Sequence, residues 1–129
     1  MNVSGDTLNL LEAASRAADC KRRRVGAVVL DAKGRVVSVG WNGLHDGSCL
    51  NGDCPRGSLS YEELPACSSY TGNCNAIHAE DSALRAAGAR ADGGSILVTA
   101  EPCPGCEALI EDFGIAHVEV VDPHTNTNA

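Results

Sequence analysis

At 129 residues the chain has room for one domain with a single core of two or three layers. A formal net charge of −7 disfavours a polyanionic partner, since nucleic-acid binders carry a basic face, and no run of about eighteen apolar residues offers a membrane span. Apolar residues make up 43% and aromatics only 3%, so the expected core is aliphatic.

The N-terminal Met1 to Asp6 shows no basic region followed by an apolar run, hence no visible secretory signal. Asp6 through Cys20 reads as a first helix, capped by Asp6, with Leu8, Leu11, Ala14 and Ala18 along one stripe. Lys21-Arg22-Arg23-Arg24 follows as the dense basic run, readable as a solvated helix end or as a phosphate site. Val25–Leu30 and Val36–Trp41 are β-branched runs joined by the turn Asp31-Ala32-Lys33-Gly34, which predicts a hairpin. Asn42-Gly43 ends it, a turn pair that also offers a placed polar group.

From Leu44 to Gly72 the composition shifts to Gly, Ser, Pro, Asn and Asp with cysteines embedded, an insert spanning about 44–74. Loops of that length in a small domain are functional or held by a metal, and Cys20, Cys49, Cys54 and Cys74 are candidate ligands of a second, structural zinc; buried free thiols are the alternative. Seven cysteines without a secretory signal point to the cytoplasm, where cysteine serves metals more often than disulfides. Asn75 to Gly88 predicts a helix with His78 and Glu80 in its first turn. Ser95–Ala100 reads as a strand, Cys103–Phe113 as a helix with Pro104 in its first turn, and His117–Val121 as a last strand. Alternating strands and helices in the second half predict an α/β fold, a three-layer α/β/α sandwich with a mixed central sheet, as one domain over 1–129. Helix N-termini at both ligand clusters are expected to lower the thiol pKa values of Cys103 and Cys106.

Chemistry concentrates in His78-Ala79-Glu80 and Pro102-Cys103-Pro104-Gly105-Cys106. His78, Cys103 and Cys106 are three donors suited to zinc, and three rather than four leave a coordination position open, the mark of a catalytic site. Zinc makes its water acidic near neutral pH, and Glu80, two residues from His78, is placed to move protons beside it. A redox pair or half of a zinc knuckle would explain Cys103 and Cys106 alone, but not their combination with His78 and Glu80.

The pattern H-x-E followed by P-C-x-x-C resembles the cytidine and deoxycytidylate deaminase superfamily, and its deoxycytidylate branch most. The likeness extends from Cys20-Lys21-Arg22-Arg23-Arg24-Val25-Gly26-Ala27-Val28 through Gly40-Trp41-Asn42-Gly43 to Gly114-Ile115. It implies a hydrolase converting dCMP to dUMP with release of ammonia. A free nucleoside or base (cytidine, cytosine or guanine) is the alternative substrate. A nucleic-acid-editing deaminase and a non-catalytic zinc module stand further off. By resemblance Asn42 binds the sugar, the Ala79 N–H binds the base carbonyl, some relatives carry a second zinc, and the assembly is a homo-oligomer. Lys21, Arg22 and Arg56 are the phosphate candidates. The chain departs from the branch at Ser82, where asparagine is usual, and in Gly43–Gly47, which lacks the usual proline.

Overall fold

The computed structural model describes residues 3–18, 24–43 and 77–123. Ser4 opens the first helix, α1 (Gly5–Ala17), its Oγ accepting the Thr7 N–H at 3.1 Å. The expected cap, Asp6, instead lies inside the first turn, where a carboxylate suits the positive helix end. The helix stops at Ala17 rather than Cys20, because Ala18 turns extended (φ −57°, ψ 135°) while its N–H closes the last turn on Ala14.

Strands β1 (Gly26–Leu30) and β2 (Val36–Trp41) form the expected antiparallel hairpin, from Gly26 opposite Trp41 to Leu30 opposite Val36. Its turn is tied by Asp31, whose Oδ1 accepts the N–H groups of Lys33 and Arg35, each at 2.9 Å. The Arg35 backbone N–H holds the Asp31 carboxyl below the usual carboxylate range. The other side of β1 pairs antiparallel with β3 (Ser95–Val98), and β3 pairs parallel with β4 (His117–Val120). The sheet is therefore mixed, in the order β2-β1-β3-β4.

Side chains alternate across a strand, and the alternation assigns the layers. Val28 and Leu97 point to one face and pack with Leu8 and Leu11 of α1 and with Val121. Ala27, Val29, Ile96 and Val98 point to the other, against α2 (Ala79–Ala87) and α3 (Pro104–Asp112). The result is the three-layer α/β/α sandwich that the element order implies. A 3-10 turn, Gly88–Ala91, follows α2. The second helix begins later than the expected Asn75, because the Ile77 backbone is committed to a two-bond bridge with Gly43, both bonds 3.0 Å long. In the third helix Cys103 and Phe113 are the caps that flank α3.

Both β2 and β3 run antiparallel to β1, so both end beside its first residues. The connections to α2 and α3 leave from that one end of the sheet, where open α/β sheets collect ligands. Among the described residues no helix is long and apolar enough to cross a membrane.

Candidate active site

A side chain on Gly40 would keep the first turn of α2 away from β2: a Cβ there would overlap the Ala79 carbonyl oxygen and the Ala83 amide nitrogen. One face of β2 thus seats the helix, and Ser38 fastens it, its Oγ donating to the Ala83 carbonyl at 2.6 Å. His78 is the N-cap of α2, extended at φ −75° and ψ 151°, rather than a first-turn residue. Glu80 does lie in the first turn, and it is buried, 4% exposed. Cys103 is the N-cap of α3 with Pro104 beside it, so Cys103 and Cys106 stand one turn apart at the helix start.

These elements bring the donors together. His78 Nδ1 lies 3.1 Å from Cys106 Sγ and 3.6 Å from Cys103 Sγ, and all three donor atoms fall within 4.8 Å of one another. A tetrahedral zinc with Zn–N of about 2.0 Å and Zn–S of about 2.3 Å spans an N···S edge of roughly 3.6 Å. The donor set fits that ion in chemistry and in spacing, and both cysteines are free of disulfides. Among the described residues these three donors, from two helix starts, are the ones that meet, and three ligands leave a fourth tetrahedral position for water or substrate.

Charge at the site differs from the expectation for one thiol. Burial pushes the Cys106 thiol above its ordinary range, and the nearby charges of Glu80 and Cys103 push it the same way. In the metal-free chain desolvation thus outweighs the helix end. A divalent cation reverses the balance, since it binds the thiolate directly.

Asn42 follows the end of β2. Its Oδ1 accepts the Val25 N–H at 2.7 Å and its own N–H donates to the Val25 carbonyl at 3.2 Å. The next residue, Gly43, bridges Ile77, which precedes His78, so the asparagine and the histidine are connected by one short backbone link. Ala79 is fully buried as the first residue of α2, and helix-start N–H groups have no partner within the helix. Lys21, Arg22, Arg56 and the cysteines 20, 49, 54 and 74 lie outside the described residues. A separate cavity of about 380 Å³ between α3 and β4 borders Glu101, Pro102 and Val118 but takes in none of the three donors. Ser38 and Gly40 seat α2 on β2; Gly40 belongs to the Gly40-Trp41-Asn42-Gly43 motif, whereas Ser38, inside β2, carries no motif signal.

The sequence profile described as "Cytidine and deoxycytidylate deaminase zinc-binding region" matches residues 7–122. The chain belongs to the cytidine and deoxycytidylate deaminase family. Within that zinc-binding deaminase family it is 40% identical over 116 residues to a protein named deoxycytidylate deaminase from Mycobacterium phage D29, covering 86% of this chain and 88% of the relative. A deoxycytidylate deaminase of Schizosaccharomyces pombe is 30% identical over 94% of this chain, which spans 36% of that longer protein. The structure of dCMP deaminase from the cyanophage S-TIM5 in complex with dCMP and dUMP superposes with a TM-score of 0.58 at 28% identity, covering 88% of this chain and 76% of the other. In this family His78, Cys103 and Cys106 are the residues positioned to hold zinc.

Proposed function

We propose that this chain hydrolytically deaminates a cytosine nucleotide, deoxycytidine monophosphate, to deoxyuridine monophosphate and ammonia. One observation carries the reading: three zinc donors within 4.8 Å of one another, with a buried glutamate in the first turn of the helix that His78 caps. The names of the phage and yeast relatives, and the dCMP and dUMP bound by the cyanophage enzyme, support the nucleotide as substrate.

His78, Cys103 and Cys106 would hold zinc, which when bound acidifies its water to near neutral pH and acts as a Lewis acid. Glu80 serves as the proton carrier. It takes one proton from the water and passes it to ring N3 as the oxygen adds to C4, then carries that oxygen's second proton to the amine, which leaves as ammonia while C4 becomes a carbonyl and Glu80 returns to its starting form. Burial of Glu80 keeps bulk water from competing for that proton. The Ala79 N–H binds the base carbonyl and the Asn42 carboxamide, fixed by Val25, meets the sugar. Lys21, Arg22 and Arg56 take the phosphate, and Cys20, Cys49, Cys54 and Cys74 bind a second, structural zinc. Residues 1–129 act as one domain with the 44–74 insert inside it, in the cytoplasm and as a homo-oligomer.

The test is ammonia release by the zinc-loaded protein with deoxycytidine monophosphate, deoxycytidine, cytosine and guanine in parallel. Turnover of the monophosphate alone is the expected result. Turnover of only a nucleoside or base would keep the zinc chemistry and remove the phosphate role of Lys21, Arg22 and Arg56. Silence on all four with zinc bound would reject the reading.

A further inference from the structure

Two successive amides at the start of β1 are held by side chains rather than by ladder carbonyls. The Val25 N–H donates to Asn42 Oδ1 at 2.7 Å on the β2 side, and the Gly26 N–H donates to Thr99 Oγ1 at 3.1 Å on the β3 side. Main-chain bonds return in both directions, from the Asn42 N–H to the Val25 carbonyl at 3.2 Å and from the Thr99 N–H to the Gly26 carbonyl at 3.1 Å. At this level both neighbours of β1 leave the sheet. Asn42 leads through the Gly43–Ile77 bridge to His78, and Thr99 leads in four residues to Cys103. The anchor between them is rigid on a third side: a Cβ on Gly26 would stand 2.7 Å from the Leu11 carbonyl and from the Ser15 amide of α1.

We infer that the Thr99 hydroxyl is a positioning residue for the metal site, fixing the Cys103–Cys106 segment at the distance from His78 that a tetrahedral ion requires. The inference rests on the zinc site of the proposed function but not on the identity of the substrate. A threonine side-chain oxygen suits the task because it lets β3 keep its pairing to β1 while its own backbone turns away toward Pro102. Without that acceptor, the buried Gly26 N–H would draw another oxygen toward itself and the following segment would shift. Groups that hydrogen-bond a metal ligand directly are worth about 10–100-fold in metal affinity when removed, and Thr99, acting through the backbone link to Cys103, is expected at the lower end of that range.

The experiment compares Thr99→Val, which keeps the shape, with Thr99→Ser, which keeps the hydroxyl. Each protein is purified as the zinc form, and its zinc affinity is measured by competition with a chromogenic chelator. The absorption of the cobalt(II)-substituted protein is recorded alongside, because its thiolate-to-cobalt bands report the geometry of both cysteines. The expected result is at least about a tenfold loss of zinc affinity in Thr99→Val with altered cobalt bands, and recovery to within about twofold in Thr99→Ser. A merely structural threonine would lower the melting temperature of Thr99→Val and leave affinity and bands as in the parent. That outcome overturns the inference, as does a Thr99→Ser protein as impaired as the valine variant. Should the valine variant fail to fold, Thr99→Ala poses the same question. Both readouts are independent of turnover, so a wild-type protein inactive on all four substrates would reject the proposed function and leave this inference standing.

Discussion

At the residue scale, Glu80 and Cys106 decide what the site can do. Glu80 is a carboxylate kept almost out of water, beside a thiol whose ionisation it opposes. Replacement by glutamine retains the size and a hydrogen-bonding head but cannot carry a proton. Glu80→Gln is expected to lower kcat by about 10²–10⁴-fold while zinc content stays at one equivalent of the parent's catalytic site, read by ammonia release and metal analysis together. Loss of zinc along with activity would assign Glu80 to holding the metal instead. Cys106 gives a pH prediction. Its folded thiol is pushed above the ordinary 9.0, so the folded form keeps its proton where the unfolded form has lost it. Fewer protons bound in the unfolded state means that the stability of the metal-free protein falls as pH rises past about 9, and is fully present below that. With zinc bound the thiolate is already formed and the fall should vanish. Urea midpoints at about pH 8 and about pH 10, with and without chelator, measure the difference. The donors themselves were readable in the sequence because Cys103 and Cys106 share one helical turn, a local relation. The raised Cys106 thiol was not, because it comes from burial, which is a property of the assembled layers.

At the element scale, two strand ends and two helix starts build the site, and their exact limits follow from contacts distant in sequence. The β-branched runs and the aliphatic stripes locate the four strands and three α-helices of the described residues, since periodicity is a local signal, but not the 3-10 turn Gly88–Ala91. The limits that matter were not local. His78 is a cap rather than a helical residue because Gly43, some thirty positions earlier by the numbering, takes the Ile77 backbone. Likewise β1 begins at Gly26 and β3 ends at Val98 where the Asn42 and Thr99 side chains replace ladder carbonyls. Gly40 shows how one strand position sets a helix. A methyl there meets backbone atoms of Ala79 and Ala83, which cannot rotate aside, so the first turn of α2 must move and take His78 and Glu80 with it. Gly40→Ala is expected to cost about 1–3 kcal/mol of stability and to weaken zinc binding in the same protein. Ser38→Ala removes the bond to the Ala83 carbonyl without adding atoms, and should cost about 1 kcal/mol with zinc binding intact. Chemical denaturation and chelator competition on the two variants separate displacement of the helix from simple loss of a bond. Parent-like zinc binding in Gly40→Ala would mean that the sheet, not the helix, yields.

At the scale of the whole molecule, the charge pattern leads to an expectation about which form of cytosine the site meets. The net charge is −7, and three of the described arginines are engaged with carboxylates on their own element or turn, Arg16 with Glu12, Arg35 with Asp31 and Arg85 with Asp81. The exposed side of α3, which carries Cys106, presents Glu107, Glu111 and Asp112, and exposed Glu101 stands two residues before Cys103. A polynucleotide tracks its protein over several phosphates, and each contact needs a cation, so acidic surroundings penalise a strand at every step. A mononucleotide needs cations at one point only, for which the dense run Lys21-Arg22-Arg23-Arg24 is the proposed source. Long-range electrostatics is therefore expected to separate a mononucleotide from a polynucleotide even though their reacting base is the same. The expected outcome is that a labelled single-stranded oligonucleotide rich in deoxycytidine shows no saturable binding and no conversion at about 0.15 M salt, where the Debye length is about 8 Å, while deoxycytidine monophosphate is turned over by the same preparation. Lowering the salt should not rescue the oligonucleotide, because weaker screening strengthens repulsion from an acidic surface as well as attraction to a basic one. Oligonucleotide deamination that rises as salt falls would reveal a basic path along the surface and would move the reaction from the nucleotide pool to nucleic acid.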